Sequence, residues 1–180
     1  VVLGGDHSTP YGLIKALAEK HPDMGILHID AHADLRESYE GFEYSHASIM
    51  HNALKVPQIA SLVSVGLRDI SPEERARIAA DPRIIGFFDY DLKKNNFFGE
   101  LWSQQCKSIV EQLPDLVYVS FDIDGLDPSL CPHTGTPVAG GLSMNEAYFL
   151  LEQLVASGKR IIGFDLNEVN PGSDEWDANV

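Results

Sequence analysis

The feature that most constrains this chain is where its polar motifs fall. Short apolar runs over Val1–Leu3, Gly25–Ile29, Leu116–Phe121 and Arg160–Leu166 each end directly on a cluster of acids, histidines or glycines. Between them lie further runs, Ile59–Val65 and Arg83–Phe88, and segments of helical spacing. Helices are expected over 10–20, with Ser8 as a cap and His21-Pro22 as a stop, over 46–54, and over 98–113 up to Pro114. Ser71-Pro72-Glu73-Glu74 is a helix start, with a capping serine, proline first and glutamate three residues on. Ser143 with Glu146 repeats that signal before a helix to about 157, which Gly158 stops. Strands alternating with helices give an α/β sandwich with a mainly parallel sheet. No internal repeat or linker divides residues 1–180, which read as a single domain. In parallel sheets ligands sit outside the carboxyl ends of the strands, so four separate motifs are expected on one rim.

Asp30-Ala31-His32-Ala33-Asp34 offers three ligands in five residues, with alanines that let the backbone pack closely behind. Carboxylates outnumber imidazoles, which favours Mn over Zn. The plain alternative for so short a stretch is a solvated acidic turn. Asp122-Ile123-Asp124-Gly125-Leu126-Asp127-Pro128 ends the most apolar strand. Residues i and i+2 of a strand share a face, so Asp122 and Asp124 project together, a like-charge conflict that divalent cations relieve. Asp127, before a proline, is expected to fix the turn. Gly4-Gly5-Asp6-His7-Ser8 turns off the first run, and His7 can complete a metal site, with Asp6 expected to support a neighbouring ligand. His28 reads as structural or as a partner of a ligand, His21, His51 and His133 as surface or turn residues, and His46 as an acid–base group within reach of the pocket. The metal set is therefore His7, Asp30, His32, Asp34, Asp122 and Asp124, enough for two ions bridged by carboxylates, about 3.5–4 Å apart in such sites.

Charge narrows the partners. Thirteen basic against 27 acidic side chains leave a net charge of −14, which argues against nucleic acid and anionic membranes and suits cations. No run approaches the roughly 18–20 apolar residues of a membrane span. Cys106 and Cys131 are too few for a disulfide framework and read as thiols of a cytoplasmic protein. The chain opens on Val1-Val2-Leu3 without a methionine and closes at Val180 straight after a motif, so it reads as a piece of a longer protein.

In order, GGDHS, DAHAD, SHA, SFDIDGLDP, TGTPVAGGL and EVNP resemble the ureohydrolase family of arginases, agmatinases and formimidoylglutamases, from end to end of the chain. The resemblance implies a three-layer α/β/α fold, here lacking N-terminal strands and a C-terminal helix, and two Mn2+ ions. It gives one ion to His7, Asp30, Asp34 and Asp122 and the other to Asp30, His32, Asp122 and Asp124. It also implies that His46 shuttles protons at the pocket mouth, that Glu168 holds the guanidinium and that Thr136 lies on the substrate loop. Family members commonly form homo-oligomers.

The reaction so implied is attack of a metal-bridging hydroxide on a guanidino carbon, with the amine leaving group protonated by way of Asp124 or His46. The carboxylates of Asp30, Asp34, Asp122, Asp124 and Glu168 outweigh two divalent ions, biasing the site toward a cation. Gly66-Leu67-Arg68-Asp69-Ile70 resembles an arginase run that continues with an aspartate gripping the substrate's α-amino group, but Ser71 stands there. The Leu35–Ser45 loop also lacks the Asn- and Ser-rich stretch of arginases, so agmatine, giving putrescine and urea, is the expected substrate, although Arg36 suits a carboxylate and Ser71 is also a good helix cap. Other readings are an arginase or formimidoylglutamase, an inactive metal-binding fragment, and a haloacid-dehalogenase-type phosphohydrolase built on Asp122-x-Asp124. The last leaves His7 and the DAHAD residues unexplained.

Overall fold

A computed structural model describes residues 1–170 and Gly172. Pro171, the last residue of the EVNP motif, lies outside the described residues. Among them six strands form one sheet: β1 (Val2–Leu3), β2 (Met24–Ile29), β3 (Ile59–Leu67), β4 (Ile84–Phe88), β5 (Leu116–Asp122) and β6 (Arg160–Asn167). Their order is β1-β6-β5-β2-β3-β4, and every neighbouring pair is parallel. The four strands that carry the polar motifs, β1, β6, β5 and β2, are thus adjacent, and their carboxyl ends form a single rim. All six residues of β2 are buried, as a central parallel strand covered on both faces requires.

The covering helices are α1 (Tyr11–Lys20), α2 (Ile49–Ala53), α3 (Pro72–Ala80), α4 (Asp89–Phe97), α5 (Trp102–Glu111) and α6 (Met144–Ala156). Because side chains alternate along a strand, the sheet separates two cores. One joins Leu27, Val63, Val119 and Phe121 to α4, α5 and α6 through Leu92, Ile109 and Leu150. The other joins Ile26, Leu62 and Tyr118 to α1 and α2 through Ile14 and Met50, with Ile78 of α3 packed against it. Each such fully buried aliphatic side chain contributes about 1.5–3 kcal/mol. The result is the three-layer α/β/α sandwich.

Differences from the sequence reading are local. The helix expected over 98–113 is α5, which starts only at Trp102 because Gly99, at φ 92°, breaks the chain before it; α4, over Asp89–Phe97, precedes it and was not expected. Ser8 caps nothing: α1 starts after Pro10, and the Ser8 hydroxyl donates to Asp6 instead. The 46–54 segment begins as a 3-10 turn over His46–Ser48 before α2. Ser71 and Ser143 form complete capping boxes. No described helix is long and apolar enough to cross a membrane.

Candidate metal centre and adjoining cleft

His7 is delivered by the turn after β1. Its Nδ1 is buried and has no hydrogen-bond partner, yet three carboxylate oxygens lie close to it: Asp30 Oδ2 at 3.0 Å, Asp34 Oδ2 at 3.1 Å and Asp122 Oδ2 at 3.1 Å. Donor atoms that converge on one another without hydrogen-bonding geometry have the arrangement of a cation's coordination shell. His32 Nδ1 makes a second such group, 3.1 Å from Asp124 Oδ2 and 3.4 Å from Asp30 Oδ1. Two sets of ligand atoms close enough to share an ion result: His7, His28, Asp30 and Asp34, and Asp30, His32 and Asp124. Asp30 belongs to both, one oxygen facing each group. The oxygen- and imidazole-rich donor set suits divalent metals such as Mn.

Local structure explains how these side chains meet. The Asp122 and Asp124 pair leaves β5 through a 3-10 turn closed by Asp124 N–H donating to Asp122 Oδ1 at 2.9 Å. Gly125 follows because a Cβ there would come within 2.8 Å of the Asp30 backbone nitrogen. Asp34 has φ 53° and Glu168 φ 60°, left-handed conformations that cost a non-glycine residue free energy and cluster at functional sites. Asp34 is held by its flanks: His51 N–H donates to its carbonyl, and both backbone groups of Leu35 are taken by Glu74 and Arg77.

The electrostatics are those of a site short of cations. Burial opposes charge on His7, but Asp122, Asp30 and Asp34 prevail and its imidazole titrates well above the ordinary range. Burial likewise opposes charge on His32, and Asp124 and Asp30 overcome it, raising His32 to about 11. Burial, then the charge of Asp30, pushes Asp34 and Asp122 up. Asp30 itself is buried, yet His28, His32 and His7 draw it well below the carboxylate range. Crowded acids of this kind are reconciled by bound positive charge.

Beside the cluster opens a cleft of ≈ 160 Å³, smaller than the roughly 300–1,000 Å³ pockets of drug-sized ligands. His46, Thr136 and Glu168 line it with His7, His32 and Asp124. Glu168 is half-buried, accepts a hydrogen bond from the His7 backbone N–H at 2.8 Å, and burial raises its pKa. Thr136 donates to Asp124 Oδ2 at 3.3 Å. His46 meets the edge of the Tyr39 ring, 5.3 Å between centroids.

All nine residues singled out from the sequence as ligands or pocket groups therefore line the cleft or contribute to the cluster. Others stand elsewhere. The Asp6 carboxylate accepts from the hydroxyls of Ser8 and Thr9, and none of its described hydrogen bonds goes to a ligand side chain. Asp127 fixes its turn through the Ser129 N–H and hydroxyl. Ser71 is spent as a cap and does not line the cleft. His51, read as a surface or turn residue, sits in α2 against Arg77. Arg36 lies over the Tyr39 ring and 4.0 Å from Glu74. Sequence reasoning missed Tyr39, Asp69 and Glu74 as cleft residues, and Ser120 and Asp165 behind His7: Ser120 Oγ lies 2.9 Å from His7 Nε2 and donates to Asp165 at 3.0 Å. The one signal of that last pair was polarity inside apolar strands.

The model of the arginase family matches residues 1–179. An agmatinase of Halalkalibacterium halodurans is 38% identical over 179 residues, covering 96% of this chain and 56% of the relative. Arginase-1 of Homo sapiens is 32% identical over 189 residues, covering 95% and 58%. The solved arginase of Medicago truncatula superposes with a TM-score of 0.82 at 31% identity, covering 99% of this chain and 54% of that one. The chain spans about half the length of the curated relatives it matches.

Proposed function

Since the chain belongs to the arginase family, we propose that it forms the catalytic core of a guanidino hydrolase with two Mn2+ ions. His7, Asp34, Asp30 and Asp122 would hold one ion, and His32 and Asp124, with Asp30 and Asp122, the other. The observation that carries this reading is the convergence of three carboxylate oxygens on the unpartnered His7 Nδ1. His28 is a supporting residue here, because Nε2 meets Asp30 at 2.8 Å and Nδ1 meets the Ser64 hydroxyl at 3.1 Å, occupying both ring nitrogens. When bound, the two ions supply hydroxide near neutral pH by lowering the pKa of water from 15.7 toward about 7.

The chain's own residues do the rest. Glu168, fixed by the His7 N–H, orients the guanidinium through charge-assisted hydrogen bonds. Thr136 steadies Asp124 from the facing loop. Water adds to the guanidino carbon, the bond from that carbon to the alkylated nitrogen breaks, and a proton passed by Asp124 or His46 leaves with the amine. The other product is urea.

Agmatine, which gives putrescine, is the substrate best suited to the mouth. The one arginine lining the described cleft, Arg36, is engaged by Glu74 and Tyr39, whereas Asp69 is 70% exposed there. The Asp69 carboxylate faces His32 Nε2 at 3.9 Å and is otherwise open to solvent, and such a carboxylate favours an amine tail over a carboxylate. Urea release with Mn2+ from agmatine, arginine and 4-guanidinobutyrate, with formiminoglutamate turnover beside them, tests this reading. Agmatine should lead; preference for arginine or formiminoglutamate would move the assignment to an amino-acid substrate, and no turnover with two ions bound would leave a metal-binding protein. The reading also has the chain act in a homo-oligomer in the cytoplasm.

A further inference from the structure

Arg68 follows β3 and is half-buried, yet it makes no ion pair with any described carboxylate. Its guanidinium donates instead to backbone carbonyls. Nη2 reaches Asp124 O at 2.7 Å, Leu126 O at 3.0 Å and Val138 O at 3.0 Å; Nε reaches Val138 O at 3.1 Å; Nη1 reaches Gly66 O at 3.1 Å. A guanidinium has five N–H bonds in a rigid plane, so one side chain here joins the end of β3, the turn after β5 and the loop carrying Thr136. The backbone N–H groups of Arg68 and Asp69 both donate to Ala31 O, at 2.8 and 3.1 Å. Ala31 sits between Asp30 and His32, and its own N–H donates to Asp124 Oδ1 at 3.1 Å.

Apart from the bond to Gly66 O at the end of its own strand, the hydrogen bonds of Arg68 thus run to the segments carrying Asp30, His32 and Asp124 or to the loop above them. The two residues peculiar to the other group are fastened by other partners: His7 by Glu168 and Ser120, Asp34 through His51, Glu74 and Arg77. We propose that Arg68 is a positioning residue that holds His32 and Asp124, the ligands peculiar to the second group, in register with the Thr136 loop and leaves His7 and Asp34 untouched. The same junction explains Gly141. Its φ is +100°, and a Cβ there would come within 2.6 Å of Leu126 O and 2.9 Å of Arg68 Nη2. The glycine lets the chain close over the guanidinium.

This assignment rests on the two-ion reading above and is tested by metal content and not by turnover alone. Manganese titrations followed by electron paramagnetic resonance should give two ions and a spin-coupled spectrum for the unaltered chain. Arg68→Met should keep the first ion at unchanged affinity, lose at least tenfold in affinity for the second, and show a mononuclear six-line spectrum at one equivalent. Gly141→Ala, which keeps the charge but crowds the junction, should do the same, and Arg68→Lys should recover part of the loss. Arg83→Met removes an arginine paired with Asp81 outside the cleft and should keep both ions. The brace is overturned if folded Arg68→Met and Gly141→Ala chains bind two ions as the unaltered chain does, or lose both together. If the unaltered chain binds fewer than two ions, the two-ion reading falls and the brace falls with it.

Discussion

Ser120 and Asp165 are register partners on neighbouring strands, and the hydroxyl of the first donates to the carboxylate of the second at 3.0 Å while facing His7 Nε2 at 2.9 Å. A buried chain of imidazole, hydroxyl and carboxylate therefore stands behind the nitrogen that completes the first ligand group. Partners of this kind fix ring orientation and are worth about 10–100-fold in metal affinity. Ser120→Ala and Asp165→Asn should each weaken binding of the first ion by that factor in a chelator competition. A change under twofold would make the chain structural only.

Asp122 is 3% exposed, and its two oxygens serve the His7 group and the turn to Asp124. Asp122→Ala should lose both ions and all urea release, measured by metal analysis after dialysis. Two tightly bound ions in that variant would show the ligand assignment to be wrong.

Ser71 separates two roles that the sequence left open. Its hydroxyl accepts from the Glu74 N–H at 3.2 Å, while Glu74 accepts from the Ser71 N–H at 3.0 Å. Losing such a cap costs about 1 kcal/mol. Ser71→Ala should therefore lower the midpoint of thermal unfolding while leaving the KM for agmatine unchanged. A KM raised severalfold with stability intact would return Ser71 to the substrate.

Cys106 is fully buried in α5, and burial, reinforced by the charge of Glu146, pushes its thiol up from 9.0 to about 12. The unfolded thiol ionises near 9.0 while the folded one keeps its proton, so the folded state binds more protons across that window. The stability this contributes is complete below pH 9.0 and is lost as pH rises toward 12. Urea denaturation at pH 8 and at pH 10.5 should show a smaller fall for Cys106→Ala than for the unaltered chain. Equal falls would count against it.

Much of this was legible in the residues. Period and capping signals placed the strands and located the starts at Ser71 and Ser143, because those signals act over a few neighbouring residues. The carboxylate cluster was legible because Asp30, Asp122 and Asp124 follow or close apolar strands, where crowded carboxylates are costly unless a cation offsets them. α4 was missed because its sequence, Asp89–Phe97, has little amphipathic contrast and only one side chain, Leu92, deep in the core. Asp6 was misread because nothing in the sequence says that Ser8 would turn toward it. The left-handed backbones of Asp34 and Glu168 left no mark in the sequence, since tertiary clamps and not residue type impose them. Ser120 and Asp165 are 45 positions apart, and their meeting depends on β5 pairing with β6, which composition cannot reveal.

β1 contributes only Val2 and Leu3 to the sheet, yet it delivers His7. So short a ladder is the first to fray in a sheet of longer strands. Whatever sits on His7 Nδ1 would then work in both directions, as cargo of the site and as the rivet of the sheet margin. Stripped of metal, the chain should exchange the amides of residues 2–7 fastest along that margin, and metal should slow those amides more than any in β3. Any affinity measured for an ion at His7 would thus contain the free energy of seating a strand.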